Sequence, residues 1–396
     1  MFANKAPPKK VLLIATQQIG DVLLCTPLLK SMRMAWPNAI IDVLVYKNTS
    51  GILAGNADCN NVIESDNHPD LSAYLKLLKT IFKQYDLAVT SQGNDRAHQY
   101  AFLAGKTRIG LIPNLKRKHW WKKISCKRWS LLEEDNTHTV VQNLLLADLM
   151  GINRQYELTP PNLSSADVLP RLNQLLNFSL SDKVYTIVHP LPMWQYKRWT
   201  DAGWIALIQH LLDKGHQVII TGGPASAEIN YGENLAQTFL DSPTGKVISL
   251  VGKTSFAEMS ALLTQSKLYI GPDTATTHLA AACGTPTLAI FGPTNPVKWA
   301  PWPFGCHEEK SPWQRYSSKY QLVNNVMLLQ GRGDCVPCHK GGKLEGLCKW
   351  YRENGKLQSV EVYKNGKREG LCKWYYENGQ LQTEGVYQNG ELRENG

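Results

Sequence analysis

Along most of this chain, short apolar runs alternate with longer stretches whose apolar positions recur every three or four residues. The first pattern reads as buried strands and the second as amphipathic helices. Val11–Ala15 is such a strand; Gly20 punctuates a turn, and a helix is expected from Asp21 to Met34. Ile40–Val45 and Leu87–Thr90 read as further strands, and His138–Met150 as the helix closing this half. The stretch from Thr159 to Asp182, rich in Pro, Ser and Asn, reads as a crossing between domains. The pattern then restarts. Strands are expected at 184–188, 218–221, 247–251, 268–271 and 287–291, with helices at 202–212, 226–239, 255–266 and 275–282. Strands spaced by helices of this length imply right-handed βαβ units and parallel sheets.

The last fifty residues follow another rule. The 24 residues from Gly346 recur from Gly370 with fifteen identical positions, each unit reading strand, Asn-Gly, strand, Asn-Gly. Asn354-Gly355, Asn365-Gly366, Asn378-Gly379 and Asn389-Gly390 supply the positive φ angles of tight hairpin turns. This is a small antiparallel β repeat, and it resembles the MORN-type repeat variants. A chain of 396 residues exceeds one ordinary core. Three regions are expected: a Rossmann-like domain at 1–165, a second Rossmann-like domain at 166–335, and a linker with the repeats at 336–396.

Charge sharpens the picture. The net charge is +10, and residues 115–129 carry seven Lys and Arg with no acid, leaving +3 elsewhere (10 − 7). An excess of this sign favours an anionic partner. The segment interleaves Lys116, Arg117, Lys118, Lys122 and Lys123 with Trp120 and Trp121, the composition of a contact with an anionic lipid surface or an anionic glycolipid. The other reading is a solvated basic loop with its Trp rings tucked inward. No recognition motif accompanies the charge, so no nucleic-acid partner is expected. No apolar run reaches eighteen residues, and the first is too short for a signal-peptide core. The expected location is cytoplasmic, with peripheral contact at the inner membrane. Nine scattered cysteines suit reduced thiols rather than a disulfide framework.

The strongest chemical signal runs from Gly271 to Pro286, where a strand ends and a helix begins. First-turn amides at such a junction bind phosphate, with Thr side chains adding donors. Asp273 is expected at the N-cap, where plain capping is the competing explanation. Asp21, at the start of the first helix, has the same two readings: an N-cap or a general base at the cleft edge.

The run Asp273-Thr274, His278, Ala-Ala-x-Gly-Thr-Pro and Phe291-Gly292-Pro293-Thr294 resembles the C-terminal motif of glycosyltransferase family 9, the bacterial heptosyltransferases. Gly20-Asp21, His189-Pro190 with Lys197-Arg198-Trp199, and Gly222-Gly223-Pro224 with Glu228 match in the same order, over residues 11 to 300. The resemblance implies a GT-B fold, two Rossmann-like domains facing a cleft. It implies Asp21 as general base and Lys197 on the donor diphosphate. Glu228 would take the ribose hydroxyls and Asp273 the sugar hydroxyls, with the amides of Thr274 and Ala275 on the diphosphate and His278 nearby. Ala275 stands where similar enzymes often carry Gly, which would narrow the sugar pocket. The donor implied is an ADP-sugar, ADP-heptose first, and the acceptor an anionic glycolipid such as a lipopolysaccharide core.

No Gly-x-Gly-x-x-Gly follows the first strand, no P-loop occurs, and no Asp-x-Asp is placed to bridge a metal and a diphosphate. Metal-independent, inverting transfer without a cofactor is therefore the expectation. Cys335-Val-Pro-Cys338-His339 formally matches a haem-attachment pattern, and a zinc site there would need two more ligands. The rival class is a non-catalytic GT-B-like binding protein working through its repeats, which are the expected contact for a protein partner. Turnover of a nucleotide sugar separates the two.

Overall fold

A computed structural model describes residues 6–114, 120–133, 135–176, 184–194, 197–243, 245–315, 320–331, 346–351, 356–364 and 366–393. The first sheet uses β1 (Lys10–Ile14), β2 (Ile40–Tyr46), β3 (Asn61–Ser65), β4 (Tyr85–Thr90), β5 (Gly105–Pro113) and β6 (Arg128–Leu132). They lie in the order β3-β2-β1-β4-β5-β6, all parallel. The second uses β7 (Tyr185–Val188), β8 (Gln217–Ile220), β9 (Val247–Ser249), β10 (Leu268–Pro272), β11 (Thr287–Phe291), β12 (Tyr320–Val323) and β13 (Val326–Gln330). Its order is β12-β13-β11-β10-β7-β8-β9, with only the β12–β13 pair antiparallel. Helices cover the faces: α1 (Ile19–Leu23), α2 (Thr26–Ala35), α3 (Leu71–Ile81), α4 (Asp95–Ala104), α5 (Trp120–Ser125) and α6 (Thr139–Met150) with the first sheet. α7 (Ser165–Leu176), α8 (Asp201–Asp213), α9 (Ser226–Gln237), α10 (Phe256–Gln265), α11 (Ala275–Ala282) and α12 (Pro296–Trp299) follow. Two parallel doubly wound sheets with a cleft between them are the GT-B arrangement. One apolar cluster is continuous across both, running from Val11, Leu13 and Val43 to Ile187, Leu262 and Leu279.

Two departures from the sequence pattern have physical causes. The helix expected from Asp21 to Met34 is two helices, broken at Leu24 and Cys25. Pro27 sits in the first turn of the second, where its missing amide costs nothing but forbids a continuous helix through it. The stretch expected as an irregular crossing contains α7, twelve residues long, although Pro170 lies inside it. Val168, Leu172 and Leu176 recur every fourth residue and are buried, so the apolar stripe prevails over the composition.

The third sheet is antiparallel: β14 (Gly346–Tyr351), β15 (Leu357–Lys364), β17 (Gly370–Tyr375), β18 (Leu381–Gln388) and β19 (Glu391–Arg393) in that order, with β16 (Lys367–Arg368) on β15. At the last turn Asn389 and Gly390 have φ of 54° and 95°, the paired left-handed geometry of a two-residue hairpin loop. Asn354, Gly355 and Asn365 lie outside the described residues.

Candidate active site

Asp21 lies in the first turn of α1, just beyond the C-terminal end of β1. Gly20, beside it, allows a close approach. A Cβ there would stand 3.4 Å from His278 Cδ2 and 3.8 Å from Ala275 Cα. The start of α1 therefore meets the start of α11 across the cleft, and Asp21 faces the opposite domain. Its Oδ1 is buried and has no hydrogen-bond partner among the described residues. Burial pushes the carboxyl up to about 6, with Asp273 adding to the rise. The Gln18 amide, Lys298 and Lys197 oppose it. A half-buried carboxylate poised near neutrality, with one oxygen unsatisfied, can accept a proton from a bound hydroxyl.

Across from it, Lys197 Nζ holds Asp273 Oδ2 at 2.5 Å, both largely buried. Asp273 is not the N-cap expected from the sequence. Thr274 takes that place, in extended backbone, and its Oγ1 accepts from the Thr277 amide at 3.3 Å. Capping by Thr274 releases Asp273 to hold the lysine. Thr277 is tied further by the Pro272 carbonyl and by Tyr269, whose hydroxyl is 3.0 Å away. The rigid first turn leaves the amides at Ala275 and Thr276 without intrahelical partners, aimed out of the helix end. His278 is buried, and its desolvated ring is pushed down to about 4, so it is neutral at pH 7. Its Nδ1 is a second buried atom without a partner among the described residues.

Glu228 stands in the first turn of α9, past the end of β8, where its Oε2 accepts from the Gly223 amide at 2.7 Å. That bond fixes the carboxylate at the rim and leaves its other oxygen for a ligand. Trp199 packs edge-on against Trp204 at 5.1 Å, a packing role. His189, buried and pushed down to about 4, bonds Thr221 Oγ1 at 3.0 Å.

A group absent from the sequence reading completes the site. Asn295, at the head of α12, donates to the Asp135 carbonyl at 2.7 Å; Thr139 Oγ1 donates to the Lys298 carbonyl at 3.0 Å; His138 Nε2 donates to the Ala300 carbonyl at 2.8 Å. These bonds strap α12, from the second sheet's side, onto the first turn of α6. The residues follow Phe291-Gly292-Pro293-Thr294 directly, yet no periodicity marks them.

The basic segment divides. Lys116, Arg117 and Lys118 lie outside the described residues, as do Cys335, Cys338 and His339. Trp120 and Ile124 are 65% and 73% exposed, and Lys123 is exposed with Nζ 4.9 Å above the Trp129 ring. Lys122 departs from the expectation of a surface contact. It is fully buried, with Nζ 2.5 Å from the Gly93 carbonyl and 2.6 Å from Asp95 Oδ1. On a helix, residue 122 points away from the side that 120, 123 and 124 share, so one of these positions must face the core. Trp121 is half-buried, edge-on to His98 at 6.1 Å. Tyr74, Phe102, Leu103, Trp120, Trp121 and Ile124 line a largely apolar groove of about 540 Å³ between α3, α4 and α5.

The motif order, the GT-B sheets and the paired cleft helices converge with a direct comparison: the model of glycosyltransferase family 9 (heptosyltransferase) matches residues 74–319, well over half the chain. The chain belongs to glycosyltransferase family 9. It is thereby a glycosyltransferase. The MORN repeat variant matches residues 344–365 and 368–389. The lipopolysaccharide heptosyltransferase 3 of Escherichia coli (strain K12) is 29% identical over 291 residues, 72% of this chain and 82% of that protein. Among solved structures, the family 9 glycosyltransferase of Veillonella parvula DSM 2008 aligns with a TM-score of 0.67 at 16% identity, over 82% of this chain and 86% of the other. The E. coli ADP-heptose lps heptosyltransferase II aligns at 0.62 and 22% identity, over 74% and 88%. Both are likenesses of fold.

Proposed function

We propose that this family 9 enzyme transfers a heptose from ADP-heptose to a lipopolysaccharide core or related anionic surface glycan, with inversion and without a metal. The donor and acceptor class are those in the names of the similar proteins, a lipopolysaccharide heptosyltransferase and an ADP-heptose lps heptosyltransferase. Asp21 is the general base. The acceptor hydroxyl gives its proton to Oδ1 while its oxygen attacks the anomeric carbon; the bond from that carbon to the diphosphate breaks, and ADP leaves with the electron pair. Inversion follows from a single displacement in which the hydroxyl attacks the face of the anomeric carbon opposite the departing diphosphate. Lys197 and the α11 amides at Thr274, Ala275 and Thr276 stabilise the departing diphosphate, the task a metal would otherwise perform. Asp273 and His278 hold the sugar side, and Glu228 the ribose. The domain limits at 165/166 and 335/336 belong to the same reading, as does a cytoplasmic enzyme working at the inner leaflet.

The exposed Trp120 and Ile124, the groove beneath them and the basic residues Lys116, Arg117, Lys118 and Lys123 support a face that meets the anionic lipid bearing the acceptor. Among the described residues no helix is long and apolar enough to cross a membrane.

The observation that carries the proposal is the buried, unpartnered Oδ1 of Asp21, next to the Gly20 that brings α1 against the start of α11. Asp21→Asn keeps the shape and removes the base, so transfer from ADP-heptose should fall by about 10²–10⁴-fold. ADP should still raise the melting temperature as it does for the native enzyme. Near-native turnover in the variant would refute the assignment.

A further inference from the structure

In an open α/β sheet a ligand binds outside the carboxyl ends of the strands, where the strand order reverses. In the second sheet that point lies between β7 and β10, and the loops following those two strands are the ones joined by Lys197 and Asp273 at 2.5 Å. In the first sheet it lies between β1 and β4. The loop after β1 leads into Asp21, so the loop after β4, Ser91 to Asn94, stands beside it as the second wall. The two loops are latched together. The Ser91 amide and Oγ both donate to the Ile14 carbonyl at 3.3 Å. The Gln92 carboxamide, buried and oriented by its partners, donates to Thr16 Oγ1 at 3.0 Å and accepts from the Thr16 and Gln17 amides at 2.8 and 3.2 Å. Gln17 and Ser91 stay half-buried, which leaves an uncharged amide and a hydroxyl at the strand ends next to α1.

A buried cation fixes this second wall from behind. Lys122 of α5 is fully buried, with Nζ 2.5 Å from the Gly93 carbonyl, 2.6 Å from Asp95 Oδ1 and 5.7 Å from the Trp121 ring centroid. Gly93 is in turn pressed onto the neighbouring strand ends, since a Cβ there would lie 2.5 Å from both Leu132 Cδ1 and Pro113 Cγ. An apolar side chain would fill the space under α5 without taking a charge out of water. What the ammonium adds is direction: it holds one carbonyl of the loop and one carboxylate at the head of α4 by charge-assisted bonds. From this placement we infer that Lys122 is a positioning residue for the acceptor: it holds the β4–α4 loop in the shape that lines the cleft beside Asp21, where Ser91 and Gln17 meet hydroxyls of the acceptor sugar. The inference rests on Asp21 being the base, because the attacking hydroxyl must lie against it. The helix that shows Trp120 and Ile124 to solvent thus grips the acceptor loop with its opposite side.

The test uses ADP-heptose as donor and a deacylated lipopolysaccharide core oligosaccharide as acceptor, which removes any lipid contact at α5. Lys122→Met frees the loop from behind and Gln92→Met frees it from β1. Each should lower kcat/KM for the acceptor by about 10- to 100-fold. The donor KM should stay within about twofold of native, and ADP should raise the melting temperature of both variants as it does for the native enzyme, which establishes that they fold. Because both release the same loop, the double variant should lose little more than the worse single one, not the product of the two losses. Lys122→Arg keeps the cation, with room to extend toward the half-exposed Asp95, and should hold the acceptor kcat/KM within about threefold of native even where methionine is not tolerated. Native acceptor kinetics in Lys122→Met or Gln92→Met overturn the inference. So do equal losses toward donor and acceptor, the mark of a lysine that only supports the fold, losses that multiply in the double variant, and a tenfold loss in Lys122→Arg. If Asp21→Asn turns over normally, the base assignment fails instead.

Discussion

Lys122 and Lys123 are adjacent on α5 and have opposite fates. Lys122 is buried against the Gly93 carbonyl and Asp95, at the entry to α4, whose N-cap Asn94 accepts from the Ala97 amide. Lys123 is exposed and lies over Trp129. Lys122→Met keeps the aliphatic volume but leaves the carbonyl without its cation, a loss of about 1–3 kcal/mol. Asp95 is half-exposed and regains water, which keeps the loss from being larger. Lys123→Gln should change stability by less than about 0.5 kcal/mol. Urea denaturation of both variants decides it; equal midpoints would mean that Lys122 contributes no more than a surface charge. In sequence the two lysines looked alike, because a run of seven cations with no acid says nothing about which one meets a partner from elsewhere in the chain.

At the scale of elements, β7 to β11 and α8 to α11 are legible because each strand is a compact apolar run and apolar positions recur along each helix; β12, with no buried position, its partner β13 and the four-residue α12 are not. The site motifs there sit on strand-to-helix junctions that the pattern itself located. β3, α3, α4, β5 and β6 were harder. β6 alternates buried and exposed positions over only five residues, and α5 is a single turn and a half. The break between α1 and α2 was equally hidden, since apolar spacing runs on through Leu24 and Cys25. The strap of Asn295, Thr139 and His138 joins positions about 160 residues apart, which no local pattern encodes. α5 also carries the lipid-face reading. Replacing Trp120 and Ile124 with Ser removes two exposed apolar side chains that make the groove's outer lip. Binding to vesicles containing anionic phospholipid should weaken about tenfold or more, since each buried apolar side chain is worth on the order of 1.5–3 kcal/mol. Stabilisation by ADP should not change. Native-strength vesicle binding would leave α5 as ordinary surface.

The whole molecule joins two architectures that are stabilised differently. The α/β body buries continuous apolar clusters; the repeat sheet is held by a polar centre. Glu361 is buried and accepts from Ser359 and Tyr363 at 2.7 Å and from Arg368 Nε at 2.6 Å, which holds its carboxyl below the usual range despite burial. Arg368 in turn lies over the rings of Trp374 and Tyr387, at 5.1 and 5.4 Å, so the first repeat's cation closes on the second repeat's aromatics. One period on, Gly385 and Leu392 stand where Glu361 and Arg368 stand in the first repeat, and a Cβ on Gly385 would be 2.5 Å from Leu392 Cδ1. The equivalent cysteines, Cys348 and Cys372, are both buried. These interactions close within the tail, and none involves Asp21, Lys197, Glu228 or α11. Removing residues 346–396 should therefore leave the ADP-induced rise in melting temperature intact, and transfer to a soluble acceptor within about twofold of native, because the transition-state contacts are all retained. The repeats would then act on where the enzyme is held or what it is held to, a role for a protein partner. Calorimetric titration with ADP on the truncated chain is the deciding measurement: a folded body that no longer binds ADP would mean that the tail builds part of the donor site.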